Sequence, residues 1–318
     1  MVFVNDGVKE AGTFLARSLE QHIPQLYEKK YPRLWAEEGM YLPAVGDLEE
    51  GAREVIETTV NQVGEALISA DGADDVPLVD VSMDEFPFKA TCISAGIKYS
   101  IPELKAAMRA NQDIKTTRLN GLGKALAERI HKLAVFGSSK HGMNGFFAHP
   151  RINLVNSSYD ADGSGVTAQD HIDFISDNLI KVESDSNLTE GIETILVPAK
   201  LYNVWAKTIL PSTNQNIIRH VLENFGTEAG GTLRQIKKVN ECQSSYLEKY
   251  KAQASGTNKD RVVFMPFDPM AFERKYYPVN FLEPQLQGMS YTLVAYTGTS
   301  EVIDHYPGSA LYVDIPKL

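Results

Sequence analysis

Two short stretches of the chain hold residue types that could do chemistry. Asp160-Ala-Asp162-Gly-Ser164-Gly165 opens like a calcium loop, in which oxygen ligands alternate before a sharp glycine turn. Such a loop needs a bidentate glutamate at its twelfth position, and His171 stands there. A polar turn is the better reading. His141 and His149 flank Gly142-Met-Asn-Gly145, but no cysteine or carboxylate accompanies them at metal-ligand spacing. They read as polar loop surface. The acidic group Asp71, Asp74, Asp75, Asp80, Asp84 and Glu85 could attract a cation, yet a solvated hairpin tip or one meeting a basic neighbour fits it better. There is no Gly-x-Ser-x-Gly elbow, no phosphate loop and no Cys-x-x-Cys. The residues point to no catalytic group, cofactor or metal, and no enzyme is expected.

Composition narrows the classes further. The chain has 318 residues, 43% hydrophobic and 23% charged, which suits a soluble globular protein with an ample core. A formal charge of −10 argues against a sequence-independent grip on nucleic acid, which needs a basic surface. An acidic wall can still enclose DNA without sticking to it. Cys92 and Cys242 are too few for a disulfide framework and read as buried thiols. No apolar run approaches the ~18 residues of a membrane span, and the N-terminus lacks signal-peptide regions. Synthesis in the cytosol is expected.

The elements around these residues are unusual in one respect. From Arg53 to Ser100 the chain reads as one long β-ribbon, with arms Arg53–Ser69 and Val76 onward and a tip at Ala70–Asp75. Seventeen extended residues reach roughly 55 Å, against a radius of gyration of about 20 Å for a compact chain of this length. A flap that long leaves strand edges and apolar side chains bare unless neighbouring subunits cover them. Val79, Val81 and Met83 alternate with polar residues, and the apolar parity then flips to Phe86, Phe88, Ala90 and Cys92, which predicts a bulge near Glu85-Phe86. Before the ribbon, residues 1–47 read as an arm with one helix from Thr13 carrying Leu15, Leu19 and Ile23. After it, Ser100-Ile-Pro-Glu103 matches a capping box. Leu119, Leu122, Leu126, Ile130 and Leu133 then stripe a helix from about Thr116 to Phe136, closed by Gly137. Gly121 and Gly123 within it suggest close packing against another backbone. A glycine-rich loop, Gly137 to Gly165, leads to an α+β region. It has a helix capped by Thr167, a strand Thr194–Val197, a helix from Pro198 and another ending at Gly226. The end turns to strands at Arg261–Met265, Tyr291–Thr297 and Leu311–Ile315.

That order of parts resembles the Hong Kong 97-type fold of tailed-phage shell proteins. Phe14-Leu-Ala-Arg-Ser-Leu-Glu20 with Tyr31-Pro32, Asp74-Asp75-Val-Pro77-Leu-Val-Asp80, Tyr99-Ser-Ile-Pro-Glu-Leu104, His141-Gly-Met-Asn-Gly145 and Pro278-Val-Asn-Phe281 resemble the encapsulin-like major capsid family of tailed phages. The resemblance implies an α+β fold with an arm at 1–47, an extended loop at 48–98 and a peripheral domain at 99–166. An axial domain at 167–258 and closing strands at 259–318 complete it. It implies hexameric and pentameric capsomers of an icosahedral head around double-stranded DNA, located in the virion and assembled in the host cytoplasm. Portal, separate scaffold and decoration proteins are the further partners it admits, with no membrane and no cofactor. Subunit contacts are expected from Leu67, Asp71, Asp74, Asp75, Val79, Val81 and Met83 in the loop. Phe14, Leu15, Leu19 and Tyr31 are their counterparts in the arm. Some members weld their shells by a lysine–asparagine bond from the loop, but no lysine lies between Lys30 and Lys89, so a weld from the tip is not expected. The resemblance begins about 13 residues from Met1, which predicts no large fused scaffolding segment. The alternative is an encapsulin-type nanocompartment shell enclosing a cargo enzyme.

Overall fold

One strand organises half the molecule. In the computed structural model, β3 runs from Asp80 to Ser100 without a break, about 70 Å at 3.3 Å per residue. Its first half pairs antiparallel with β2 (Glu54–Val63), in constant register from Glu54↔Lys89 to Val63↔Asp80. Its second half pairs with β12 (Ser290–Asp304), from Ala90↔Ser300 to Ser100↔Ser290. The structure describes residues 34–63, 80–109, 114–186, 191–211, 213–227, 231–250, 258–306 and 308–318. The expected arm helix with Phe14, Leu15 and Leu19, as well as Tyr31, lies outside them. So do the tip residues Leu67, Asp71, Asp74, Asp75 and Val79.

The expected bulge at Glu85-Phe86 is absent, since the register with β2 passes through both residues unshifted. The parity flip between Met83 and Phe86 marks no change of backbone or of partner. Val81, Met83 and Phe86 are all exposed, and Cys92, expected to be buried, is exposed as well. Along a straight strand the face that is covered changes: Phe88 is buried on the even face near the root, whereas Ile93, Ala95, Ile97 and Tyr99 turn the odd face inward. β3 changes partner between those two zones.

Around β3 a six-stranded sheet forms in the order β1-β10-β12-β3-β2, with β1 at Ala44–Val45, β10 at Phe272–Phe281 and β11 (Gln285–Gln287) pairing β12. β10 was not foreseen. Register shifts between Arg274 and Tyr276 and between Tyr277 and Asn280, with Pro278 between them, erase its alternation. Ser100 ends β3 and also caps α1 (Ile101–Arg109), its Oγ accepting the Glu103 N–H at 3.3 Å. The Glu103 carboxylate pairs with Arg118.

The long helix α2 (Ile114–Phe136) lies on this sheet. Leu122 and Leu126 pack with Ala295 against Ile93, Ala95 and Ile97. Each such leucine contributes about 2 kcal/mol of burial. Two expectations for α2 fail. Leu119 is exposed, and a Cβ at Gly121 or Gly123 would meet nothing within 4 Å, so neither glycine marks a close helix contact. Gly137 does close the helix, at φ +69°, where a Cβ would collide with the Met143 carbonyl and Gly145. The segment after Leu34 is tied to α2 at its far end. Trp35 Nε1 donates to Glu241 at 3.3 Å, and His131 Nε2 sits 3.0 Å from the same carboxylate. Burial opposes ionisation of Glu241, yet the His131 hydrogen bond, its own backbone and Trp35 hold its pKa below the usual value.

A second sheet has the order β6-β13-β9-β7-β8: Asn153–Asn156, Leu311–Pro316, Lys259–Met265, Thr194–Val197 and Gln235–Lys238. The chain's last strands are thus shared between both sheets. α3 (Ala168–Asp185), α4 (Ala199–Lys207) and α5 (Ile217–Phe225) supply the cover, with Ile175, Leu179, Val182, Leu201, Trp205 and Val221 in one core with Ile195, Val262 and Val313. Thr167 and Asp170 form the capping box of α3. Inside this sheet Arg261 meets Asp314 twice, at 2.7 and 3.0 Å, over the Tyr312 ring.

Candidate functional site

The β2–β3 ribbon is the least finished part of the molecule. In the observed register Ile56, Thr58 and Val60 share a face with Val81, Met83, Glu85 and Pro87. Ile56 is 60% exposed, Val60 50%, Val81 47% and Met83 68%. A two-stranded ribbon cannot sustain itself in water, and a contiguous apolar stripe on it marks a surface awaiting a partner. Val81 and Met83, both expected contact residues, fall on this stripe. Ile56 and Val60 were missed in the sequence because the alternation of β2 is diluted by Thr58 and Thr59.

The opposite face is anchored at the root. The Arg151 guanidinium lies 4.8 Å from the Phe86 ring centre, and Phe88 is buried. Glu57 reaches His305 Nδ1 at 2.7 Å, and His305 Nε2 lies 3.5 Å from Glu273. Behind them Asp304 is fully buried, 3.8 Å from both His149 Nδ1 and Arg151 Nε. By distance and angle no described residue hydrogen-bonds either Asp304 oxygen, Glu57 Oε2, His149 Nδ1 or Arg151 Nη1, although the nearby Tyr306 backbone N–H lends Asp304 some support. Burial pushes the Asp304 carboxyl up to about 6, against the pull of Arg151. Burial and the charge of Arg151 push His149 down to about 4. The reading of His149 as loop surface is therefore corrected: it is buried, while His141 stays exposed.

Where β12 leaves β3, the Glu301 carboxylate takes over the strand's role. It accepts the Lys89 N–H at 2.6 Å and the Asn144 N–H at 2.7 Å. At the other end of the same sheet a second apolar surface is exposed, made by Phe281, Leu282, Leu286, Met289 and Tyr291. It went unnoticed in the sequence; its only signal is a run of apolar residues amid the turn formers Pro278, Pro284 and Gly288.

The calcium-like loop is a turn, with Asp160 Oδ1 accepting the Asp162 N–H at 3.3 Å and the Asp160 carbonyl accepting the Gly163 N–H. His171 points inward to the Tyr159 hydroxyl. Among the described residues no group of three His, Cys, Asp or Glu is placed to hold a metal ion.

Comparison with known proteins agrees with this geometry. The capsid of Myoviridae phage XM1 superposes with a TM-score of 0.76 at 15% identity, over 95% of this chain and 98% of that one. The capsid of cyanophage P-SCSP1u gives 0.60 at 11% identity, over 94% and 93%. A virus-like particle from Pyrococcus furiosus gives 0.50 at 13%, over 86% and 90%. At these identities the likeness shows the fold, which is the Hong Kong 97-type α+β fold of phage shells. No curated protein matches the chain. The profile of the major capsid protein family matches residues 64–315, well over half of the sequence, and the chain belongs to that family.

Proposed function

We propose that this major capsid protein builds hexameric and pentameric capsomers of an icosahedral head around double-stranded DNA, with the ribbon as the clasp between subunits. The observation that carries this reading is the ribbon itself, whose apolar stripe is left exposed by the described residues of its own chain. Val81 and Met83, with Leu67, Asp71, Asp74, Asp75 and Val79 beyond them, are the residues assigned to the neighbour, and Phe14, Leu15, Leu19 and Tyr31 are assigned to a second contact through the arm. The six-stranded sheet with α2 serves as the peripheral domain, and the five-stranded sheet with α3 to α5 as the axial one. A charge of −10 suits a wall that holds DNA without binding it tightly. Assembly takes place in the host cytoplasm, and the product is the virion. A cargo-enclosing compartment is not favoured, given the family and the phage capsid superposition.

The test is deletion of Leu67–Asp80. Folded, soluble subunits that close no shell in electron micrographs are expected; normal particles would refute the clasp.

A further inference from the structure

The ribbon's two edges are finished differently. In an antiparallel ladder the backbone groups of alternate residues face the partner strand, and those between face away. The Ala90 N–H donates to the Arg53 carbonyl at 2.7 Å, which puts Val55↔Phe88, Glu57↔Phe86 and Thr59↔Asp84 among the inward pairs. The backbone groups of Ile56, Thr58 and Val60 therefore face outward along β2. On the β3 side the outward positions nearest the root are closed, because Glu301 holds the Lys89 N–H and Pro87 has none. Among the described residues β2 is an edge strand with no such device: residues 54–63 contain no proline, glycine, lysine or arginine. Soluble proteins normally blunt an edge with those residues. A groove of about 360 Å³ follows the strand, lined by Glu57, Thr58, Thr59 and Val60 facing Met270, His305 and Tyr306. Glu57 Oε2 is buried without a hydrogen-bond partner.

We propose that β2 of a second copy adds antiparallel to this edge, about a two-fold axis at Thr58. The occupant follows from self-complementarity. With Thr58 opposite Thr58, Ile56 falls opposite Val60 on both sides of the axis, which continues the stripe of Val81 and Met83. Glu57 falls opposite Thr59, whose hydroxyl can donate to the unpartnered carboxylate oxygen. Centring on Glu57 would set two carboxylates face to face, and centring on Thr59 would break the isoleucine–valine pairs; cross-strand pairs of these kinds decide register. A two-fold contact uses one patch twice and would join subunits of neighbouring capsomers, since the contacts that close a hexamer or pentamer are head-to-tail. This pairing rests on the clasp reading above and gives it a backbone mechanism.

Two variants test it. Thr58→Cys in a Cys92→Ser background should, on mild oxidation of assembled particles, yield a disulfide-linked dimer at twice the 35.2 kDa chain mass. Glu85→Cys in the same background, on the other strand, should stay monomeric. No dimer from Thr58→Cys particles, or an equal one from Glu85→Cys, overturns the pairing. Thr58→Pro removes an outward N–H and spares the β2–β3 ladder. It should leave folded subunits and lower particle yield by about tenfold or more, whereas Thr58→Ala assembles normally. Normal assembly of Thr58→Pro beside a failing ribbon deletion overturns strand addition and leaves the clasp standing. If both assemble, the clasp falls too. Should the cysteine variant not assemble, amide exchange on parent particles decides. The Ile56, Thr58 and Val60 amides must slow on assembly, and fast exchange there overturns the proposal.

Discussion

In the five-stranded sheet every residue of β7 is buried, and so are all but one each of β9 and β13. In the six-stranded sheet β2 has no buried residue between Glu54 and Val60. Buried charge also differs between them, although Glu193 Oε2 beside β7 is unmatched too among the described residues. Arg261 and Asp314 satisfy each other within the first sheet. At the ribbon root Asp304, Glu57, His149 and Arg151 all leave polar atoms unmatched. One sheet completes its core within the chain; the other leaves both apolar surface and hydrogen-bonding capacity unspent. In a member of a capsid protein family, the unfinished half is the one we assign to contacts between copies.

Substitutions can break that contrast or sharpen it. Asp314→Ala strands the Arg261 cation inside a closed core and should cost about 3–5 kcal/mol, read as a fall in the urea midpoint of the subunit. A loss under 1 kcal/mol would mean that the first sheet is less closed than it looks.

The ribbon root should respond to acid instead. Asp304, raised to about 6 from its ordinary 3.8, weakens the fold as pH rises through that interval. His149, lowered to about 4 from 6.5, weakens it as pH falls through the overlapping one. In the parent these slopes oppose each other. Relative to it, Asp304→Asn should gain about 3 kcal/mol as pH rises from about 4 to 6.5, and His149→Gln should gain similarly as pH falls. Parallel profiles for the two variants would dissolve the cluster as a unit.

On the outer face of α2, Gly121→Ala and Gly123→Ala each enter open space and should stabilise the subunit by about 0.5–1 kcal/mol. Smallest on the subunit, Val60→Ser and Met83→Ser should move its stability by no more than about 0.5 kcal/mol while lowering particle yield. If they destabilise the isolated subunit instead, the stripe is packed within one chain and the contrast fails.

The helices were the most legible elements. Ile175, Leu179 and Val182 repeat at helical spacing behind the Thr167 cap, and Leu122 and Leu126 repeat at the same spacing in α2, so local sequence sets them. β10 was not legible because its shifted register destroys the period of two. The parity flip in β3 was legible but misassigned. The face that is covered, even at Phe88 and odd from Ile93, is set farther along by elements distant in the chain, β12 among them. The same holds for His149, whose burial is decided by Asp304 and Val302. Of the contact residues expected from sequence, the described structure places Val81 and Met83 on one stripe and adds Ile56 and Val60 from the opposite strand.

The unbroken course of β3 has a mechanical consequence. A pull on the ribbon along its length is carried by the same covalent strand into the body and ends at the first turn of α1. Ladder hydrogen bonds run across the strands, so an axial load strains the eleven pairs from Ala90 to Ser100 in shear, all together. A load that lifts the ribbon sideways would open them one at a time, beginning at the Glu301 carboxylate that holds Lys89. The strand is stiff under tension and yields to peeling. A shell whose contacts pull the ribbon lengthwise would load this chain along its strong direction.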